Sequence, residues 1–295
     1  MPSQTYRAFS VGRLGAIAGN TFTGLTRLKV FYVVLLFALL LIGGSVFMAR
    51  MTFQQEFQVL KDLALGAMSL FTSLLAVLAT ARLLPQETED RTIYTILAKP
   101  VSRLEYLAGK LLGVLALLAV SLVVMSALFF LVLALREQSV LRETALQMSR
   151  APADQRDDAL RLVHSAGFHP NLFSAIALIY VKGCVLAALT LLVSTFASTT
   201  IFTTVTMAFV YFIGHLQAIA REYYLQTTSG GWLTKTLLAT VALLFPDLQT
   251  FNLIDDVVAG SAIPLALVLK AVGLGIFYCV FYLVVSLALF FRKEL

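Results

Sequence analysis

Residues Val30 to Ala49 form twenty consecutive positions without one charged side chain. This run constrains the fold more than any other feature. About 20 apolar helical residues cross the roughly 30 Å hydrocarbon core of a bilayer, and a helix satisfies its own backbone polar groups there. Comparable runs recur at Leu63 to Leu84, with Arg82 as its only charge, at Leu111 to Leu135, and at Leu265 to Phe291. The stretch Leu172 to Leu216 is too long for one crossing and reads as two, with a tight polar turn at "STFAST", 194–199. Only 13% of the chain is charged, against about 25% in soluble domains, and mean hydropathy is +0.89. The expected fold is therefore all-α and polytopic: six transmembrane helices in one transmembrane domain, 1–295. An even number of crossings puts both termini on one side.

The first apolar run starts at Val30, is too long for a signal-peptide core and lacks a small-x-small cleavage site, so no cleaved leader is expected. Cys184 and Cys279 both fall inside expected spans and read as small apolar fillers. Counting Lys and Arg does not orient the chain: the termini and the 85–105 loop with its flanks, 82–110, together carry 11 of the 22. Net charge separates the sides. Residues 1–29 hold four basic and no acidic residues, 82–110 five against four, and "RKEL" nets plus one, which together make up the whole +6. That side is expected to be cytoplasmic.

Ahead of the first span, Leu14, Ile17, Ala18, Phe22, Leu25 and Leu28 recur at helical steps, flanked by Arg7, Arg13, Arg27 and Lys29. The pattern predicts an amphipathic helix within 1–29 lying on an anionic leaflet. Residues 136–170 form the largest hydrophilic segment, with five basic and five acidic side chains. Within it "ETALQMSR" and "DDALRLVHSAGF" predict two short helices separated by "APAD". His164 and His169 have no supporting Cys or Glu cluster and make a poor metal pair. In "GWLTKTLLATVALLFPDLQTFNLIDD" the apolar core Leu237 to Phe245 is too short to cross and ends at Pro246 and Asp247. A re-entrant hairpin over 232–247 is expected, anchored by Trp232; a full crossing would make seven spans. Lys182 and Lys270 fit positions near outer span ends, where a lysine stem reaches the headgroups, and His215 reads similarly.

The segment between the second and third spans carries the most information. Pro85 is expected to end the second span. Glu87, Glu89, Asp90 and Arg91 then give way to Ile93, Tyr94, Ile96 and Leu97, one apolar helical face with acids in the first turn. Pro100 stops that helix, and Ser102 with Glu105 is spaced as a capping box that opens a new helix into the third span. A short amphipathic helix results, joined rigidly at both ends to membrane helices.

At this point the chain resembles the membrane subunits of ABC type-2 transporters. The resemblance rests on the acidic stretch followed by "RTIYTILAKPVSR" and "YLAGKLLG", on "NTFTGLTRLKVFYVVLLFALLLI" at the first span, and on "LLFPDLQTFNLID" before the last. It implies that 1–29 is the connecting helix and that the 85–105 loop is the coupling segment docking on a separate ATPase. The docking residues would be Glu87, Glu89, Asp90, Arg91, Ile93, Tyr94, Leu97, Lys99, Pro100 and Arg103. It also implies an outer re-entrant gate with Trp232, Phe245, Pro246 and Asp247. Two ATPase copies carrying ATP and Mg, a second permease copy (homodimer or related heterodimer) and membrane lipid would be the partners, in a bacterial inner membrane. The 136–170 insertion departs from the plainest members of the family and leaves room for an extracytoplasmic partner.

No nucleotide site is expected in this chain. A phosphate loop needs Gly-x4-Gly-Lys-Ser/Thr, and the Gly-Lys at 109–110 has Leu104 and Leu111 at the required places. No nucleophile elbow or His-Glu-x-x-His motif occurs, so neither enzyme activity nor a bound metal is expected, and no nucleic-acid partner. Three readings remain: an exporter permease, a mechanotransmitter driving an outer-face partner, and a stand-alone secondary carrier. Against the last stands the lack of buried acids within the spans.

Overall fold

The computed structural model describes residues 10–51, 56–89, 102–149, 152–197, 199–226, 246–261 and 263–292. Among these residues the chain is helical, with no strand. The helices are α1 (Val11–Thr26), α2 (Lys29–Met51), α3 (Glu56–Ala81), α4 (Leu83–Glu89), α5 (Arg103–Gln147), α6 (Ala153–Ala166), α7 (Asn171–Phe196) and α8 (Thr200–Gln226). A 3-10 turn (Leu248–Phe251), α9 (Ile254–Val258) and α10 (Leu265–Arg292) follow.

Five helical segments are long and apolar enough to cross a membrane: α2, α3 continued into α4, α5, α7 and α10. The sixth expected span is α8, whose apolar stretch Thr200–Leu216 is shorter. α7 is the axis of the bundle, packed by α3, α5, α8 and α10. Burial follows that arrangement: 78% of the most apolar window of α7 is buried, against 28% for α2 and 22% for α10. Thus α2 and α10 present broad apolar faces outward, to lipid or to another chain.

Two boundaries differ from expectation. Pro85 does not end the second span. The break falls at Arg82, and Pro85 sits in the first turn of α4, where the missing N–H costs no helical bond. At that joint the Gln86 N–H still donates to the Arg82 carbonyl at 3.2 Å. Nor does "ETALQMSR" begin a helix of its own. The third span continues through it to Gln147, giving one helix of 45 residues, about 67 Å at 1.5 Å per residue. That is twice the bilayer core, so its last turns project beyond it. The second expected surface helix is α6. Arg136 anchors this end on the Glu56 carboxylate of α3 at 2.5 Å, and Lys61 donates to the Ala166 carbonyl at 2.7 Å. His164 is taken up by Glu137, whereas His169 accepts from the Asn171 N–H, so the two histidines have separate partners.

The predicted stripe of α1 faces inward, but onto protein. Thr21 and Leu25 are buried, and the helix crosses the base of α5 at Gly109 and Gly113. A Cβ at Gly109 would lie 2.8 Å from the Ile17 side chain. One at Gly113 would lie 2.6 Å from Thr21 Cβ and 2.7 Å from the Ala18 carbonyl. The four-residue spacing puts both glycines on one face, the small-xxx-small device that lets helix backbones approach closely. The amphipathic face expected on the leaflet is therefore covered by the third span.

Gly113→Ala should lower stability by about 1–3 kcal/mol, because backbone as well as side chain must move to admit the methyl. Gly15→Ala, with nothing within 4 Å, should raise it by about 0.5–1 kcal/mol. Thermal unfolding of both variants in one detergent checks the pair, and equal effects would contradict this seating of α1.

Candidate coupling site

The first two turns of α5 tie together three other helices. Ser102 and Glu105 form the predicted capping box: Ser102 Oγ accepts from the Glu105 N–H at 3.1 Å, and Glu105 Oε2 accepts from the Ser102 N–H at 2.9 Å. The capping carboxylate does more than close its own helix. Its Oε1 accepts from the Ser10 N–H at 2.7 Å and from Arg13 Nη2 at 2.8 Å, and Arg13 Nε donates to Oε2 at 3.3 Å. Glu105 is 0% exposed. An ionised carboxylate in such a place requires paired charge and filled lone pairs, and the Arg13 fork with two backbone N–H groups supplies both. This is a clamp between the start of α1 and the start of the third span.

The neighbouring positions hold α4 and α10. Lys110 and Tyr106 donate to the two carboxylate oxygens of Glu87, so the α4 acid faces α5. The Tyr106 ring also stacks on Phe290 of α10 at 6.1 Å. Arg103 donates to the Phe290 carbonyl at 2.7 Å, and its guanidinium lies 5.5 Å and 5.2 Å from the Phe290 and Phe291 ring centres. A cation there meets the negative end of the α10 dipole as well as two aromatic faces.

Of the residues expected to dock on an ATPase, Glu87 and Arg103 thus brace the helices flanking the coupling segment, and Glu89 is exposed at the last turn of α4. Asp90, Arg91, Ile93, Tyr94, Leu97, Lys99 and Pro100 lie outside the described residues. The hub consists of Glu105, Arg13, Tyr106 and Lys110. The capping-box spacing singled out Glu105, but nothing local in the sequence points to Arg13, 92 positions away.

A second polar cluster lies inside the bundle and corrects an expectation. Lys182 does not snorkel to the outer headgroups. It sits near the middle of α7, 3% exposed, and its Nζ donates to Ser69 Oγ of α3 at 3.1 Å and to His215 Nε2 of α8 at 3.2 Å. His215 Nδ1 is 2.9 Å from the Tyr211 carbonyl, which can only accept, so Nδ1 carries the proton and Nε2 is left to receive the lysine. The ammonium also lies 5.5 Å from the Tyr211 ring centre. Ser69, Tyr211 and His215 come from other helices, so one helix read alone gives no hint that Lys182 has partners.

The described end of the expected outer gate packs beside this cluster. A Cβ at Gly214 would meet Leu248 Cγ at 2.8 Å and the Pro246 carbonyl at 3.1 Å, so residues 246–248 lie directly on α8, next to His215. Asp247 caps the 3-10 turn by accepting from the Gln249 N–H at 3.0 Å. Trp232 and Phe245 lie outside the described residues.

Glu105→Gln and Arg13→Gln should each speed amide exchange across 11–26 while leaving α7 protected. The double variant should be no worse than either single one, because both remove the same clamp. At the interior cluster, Lys182→Met should cost less stability than His215→Leu. The second change strands a buried ammonium, about 1–3 kcal/mol, whereas the first removes it. Adding Lys182→Met to His215→Leu should restore stability, read by thermal unfolding, and the reverse ranking would contradict the pairing.

No curated protein matches the chain. The family described as ABC-2 family transporter protein matches residues 16–295, nearly the whole length, including α1 from Ala16, the coupling segment and all the candidate spans. The chain is a multi-pass membrane protein of that family, and so a membrane permease component of an ABC transporter with an ABC ATPase as its partner.

Proposed function

We propose that the chain is the permease of an ATP-driven exporter, working as a homodimer or a closely related heterodimer over two ATPase subunits that bind the ATP and Mg. In this reading six spans cross the bacterial inner membrane, both termini are cytoplasmic, and 232–247 re-enters from the outer face as a gate. The segment 87–103 docks on the ATPase through Glu89, Asp90, Arg91, Ile93, Tyr94 and Leu97, with Lys99 and Pro100 closing the helix. The observation that carries the reading is the bracing of both flanks of that segment. Glu87 is held by Tyr106 and Lys110, and Glu105 is held by Arg13, so displacement of the segment moves α1, α4 and the third span together. ATPase closure would then rock the spans between inward- and outward-open states. The outward apolar faces of α2 and α10 give the second copy a surface to pack on.

One observation favours a second reading. The third span is continuous from Arg103 to Gln147, so movement at its inner end reaches the outer insertion without an intervening joint. That would suit a subunit that drives an extracytoplasmic partner held at 136–170, with no cargo between the spans. Reversing charge with Glu89→Lys and Asp90→Lys should uncouple ATP hydrolysis from transport by tenfold or more while the protein stays folded; normal coupling in that variant would count against docking. Replacing 138–166 by a short linker decides between the readings: transport through the spans survives it, whereas force transfer to an outer partner does not.

A further inference from the structure

Arg82 stands at the break between α3 and α4, half-buried, and among the described residues no hydrogen bond or ion pair engages its side chain. It lines two adjoining cavities that also share Leu25 and Leu28. One, about 80 Å³, is mostly apolar, with Phe31, Leu75, Leu78 and Leu117 in its walls, the exposed Val30 at its rim and Thr200 and Thr204 on the α8 side. The other, about 270 Å³, is polar, lined by Asn20, Gln86, Glu87 and Lys110. Glu87 and Lys110 neutralise each other there, and Tyr106 occupies the second Glu87 oxygen. Arg27 and Lys29, both exposed, flank Leu28 at the α1–α2 corner. Among the described residues, Arg27, Lys29 and Arg82 have no acidic partner within ion-pair distance.

An arginine left unpaired where an apolar slot meets a polar hollow, at the end of a membrane span, has the chemistry of a phosphodiester with an attached hydrocarbon. Guanidinium takes phosphate bidentately, and the leaflet supplies such groups at this depth. We propose that the α1–α3–α8 junction is a binding site for one anionic glycerophospholipid, with its phosphate on Arg82 and the start of an acyl chain in the Phe31–Leu78–Leu117 slot. Bound there, the lipid touches the α1–α2 corner, the α3–α4 break and α8 at once, and so stabilises the seating of α1 on the third span. The inference does not depend on which face is cytoplasmic or on the direction of transport.

The test uses the full chain, purified with whatever co-purifies, in neutral detergent, with bound lipid counted by native mass spectrometry during titration. Phosphatidylglycerol should bind roughly tenfold or more tightly than phosphatidylcholine, whose phosphodiester can reach Arg82 but whose quaternary ammonium is repelled by that arginine and by Arg27 and Lys29. Arg82→Gln should abolish that preference and Arg82→Lys should keep part of it. Thr204→Phe, which fills the slot without touching Arg82, should also weaken phosphatidylglycerol, and millimolar inorganic phosphate should not displace it. Unchanged phosphatidylglycerol binding in folded Arg82→Gln, or equal binding of the two lipids, would overturn the site. Displacement by phosphate together with normal binding in Thr204→Phe would make it a free-anion pocket and overturn the lipid.

Discussion

The organisation of the corner where α1, α4, α5 and α10 meet depends on one carboxylate. Glu105 lies fully buried at the foot of the third span, and it is tolerable there because an arginine fork and two backbone N–H groups reach it from two segments of chain. Without Arg13 the carboxylate would keep its backbone N–H partners but lose the opposing charge. The charge therefore acts as a specificity device: α1 must lie with its start over residue 105, and that register sets Ile17 and Thr21 onto the glycine faces at 109 and 113. Polar clamp and close packing select the same placement.

From that foot the geometry spreads outward. One turn of α5 holds α10 through Arg103, the next holds α4 through Tyr106 and Lys110, and the helix then runs unbroken to Gln147. On the α5 side no break intervenes between Arg103 and Gln147, whereas on the α4 side the break at Arg82 separates α4 from α3. The interior ammonium of Lys182 adds a second tie, joining α3, α7 and α8 at mid-depth next to the chain that leads out of 232–247. The foot of α5 and the middle of the bundle are thus each fastened by a charged side chain with neutral or opposite partners drawn from other helices.

What could be read from the sequence was what is encoded locally. Span positions follow from uncharged length, the α1 stripe from helical period, and the Ser102–Glu105 cap from a spacing of three. Failures came wherever a distant partner decides. Lys182 looked like a lysine seeking headgroups because Ser69 and His215 are 113 and 33 positions away. The stripe of α1 reads as lipid-facing because the glycines that receive it belong to another helix. Pro85 reads as a stop in isolation, yet a proline in a first turn is compatible with the helix it begins. The charged stretch after Leu135 looked like a new element, although charge alone does not end a helix once it has left the bilayer.

The central claim is that the segment between α4 and α5 is gripped by an ATPase, and in-cell photo-crosslinking tests it most directly. A photoreactive amino acid in place of Tyr94, at the centre of the expected docking face, should yield one covalent adduct with an ABC ATPase, and the adduct should weaken when Glu89 and Asp90 are reversed in charge. Adducts only with lipid or with this chain itself, or labelling of the position by a membrane-impermeant reagent added outside the cell, would contradict the account.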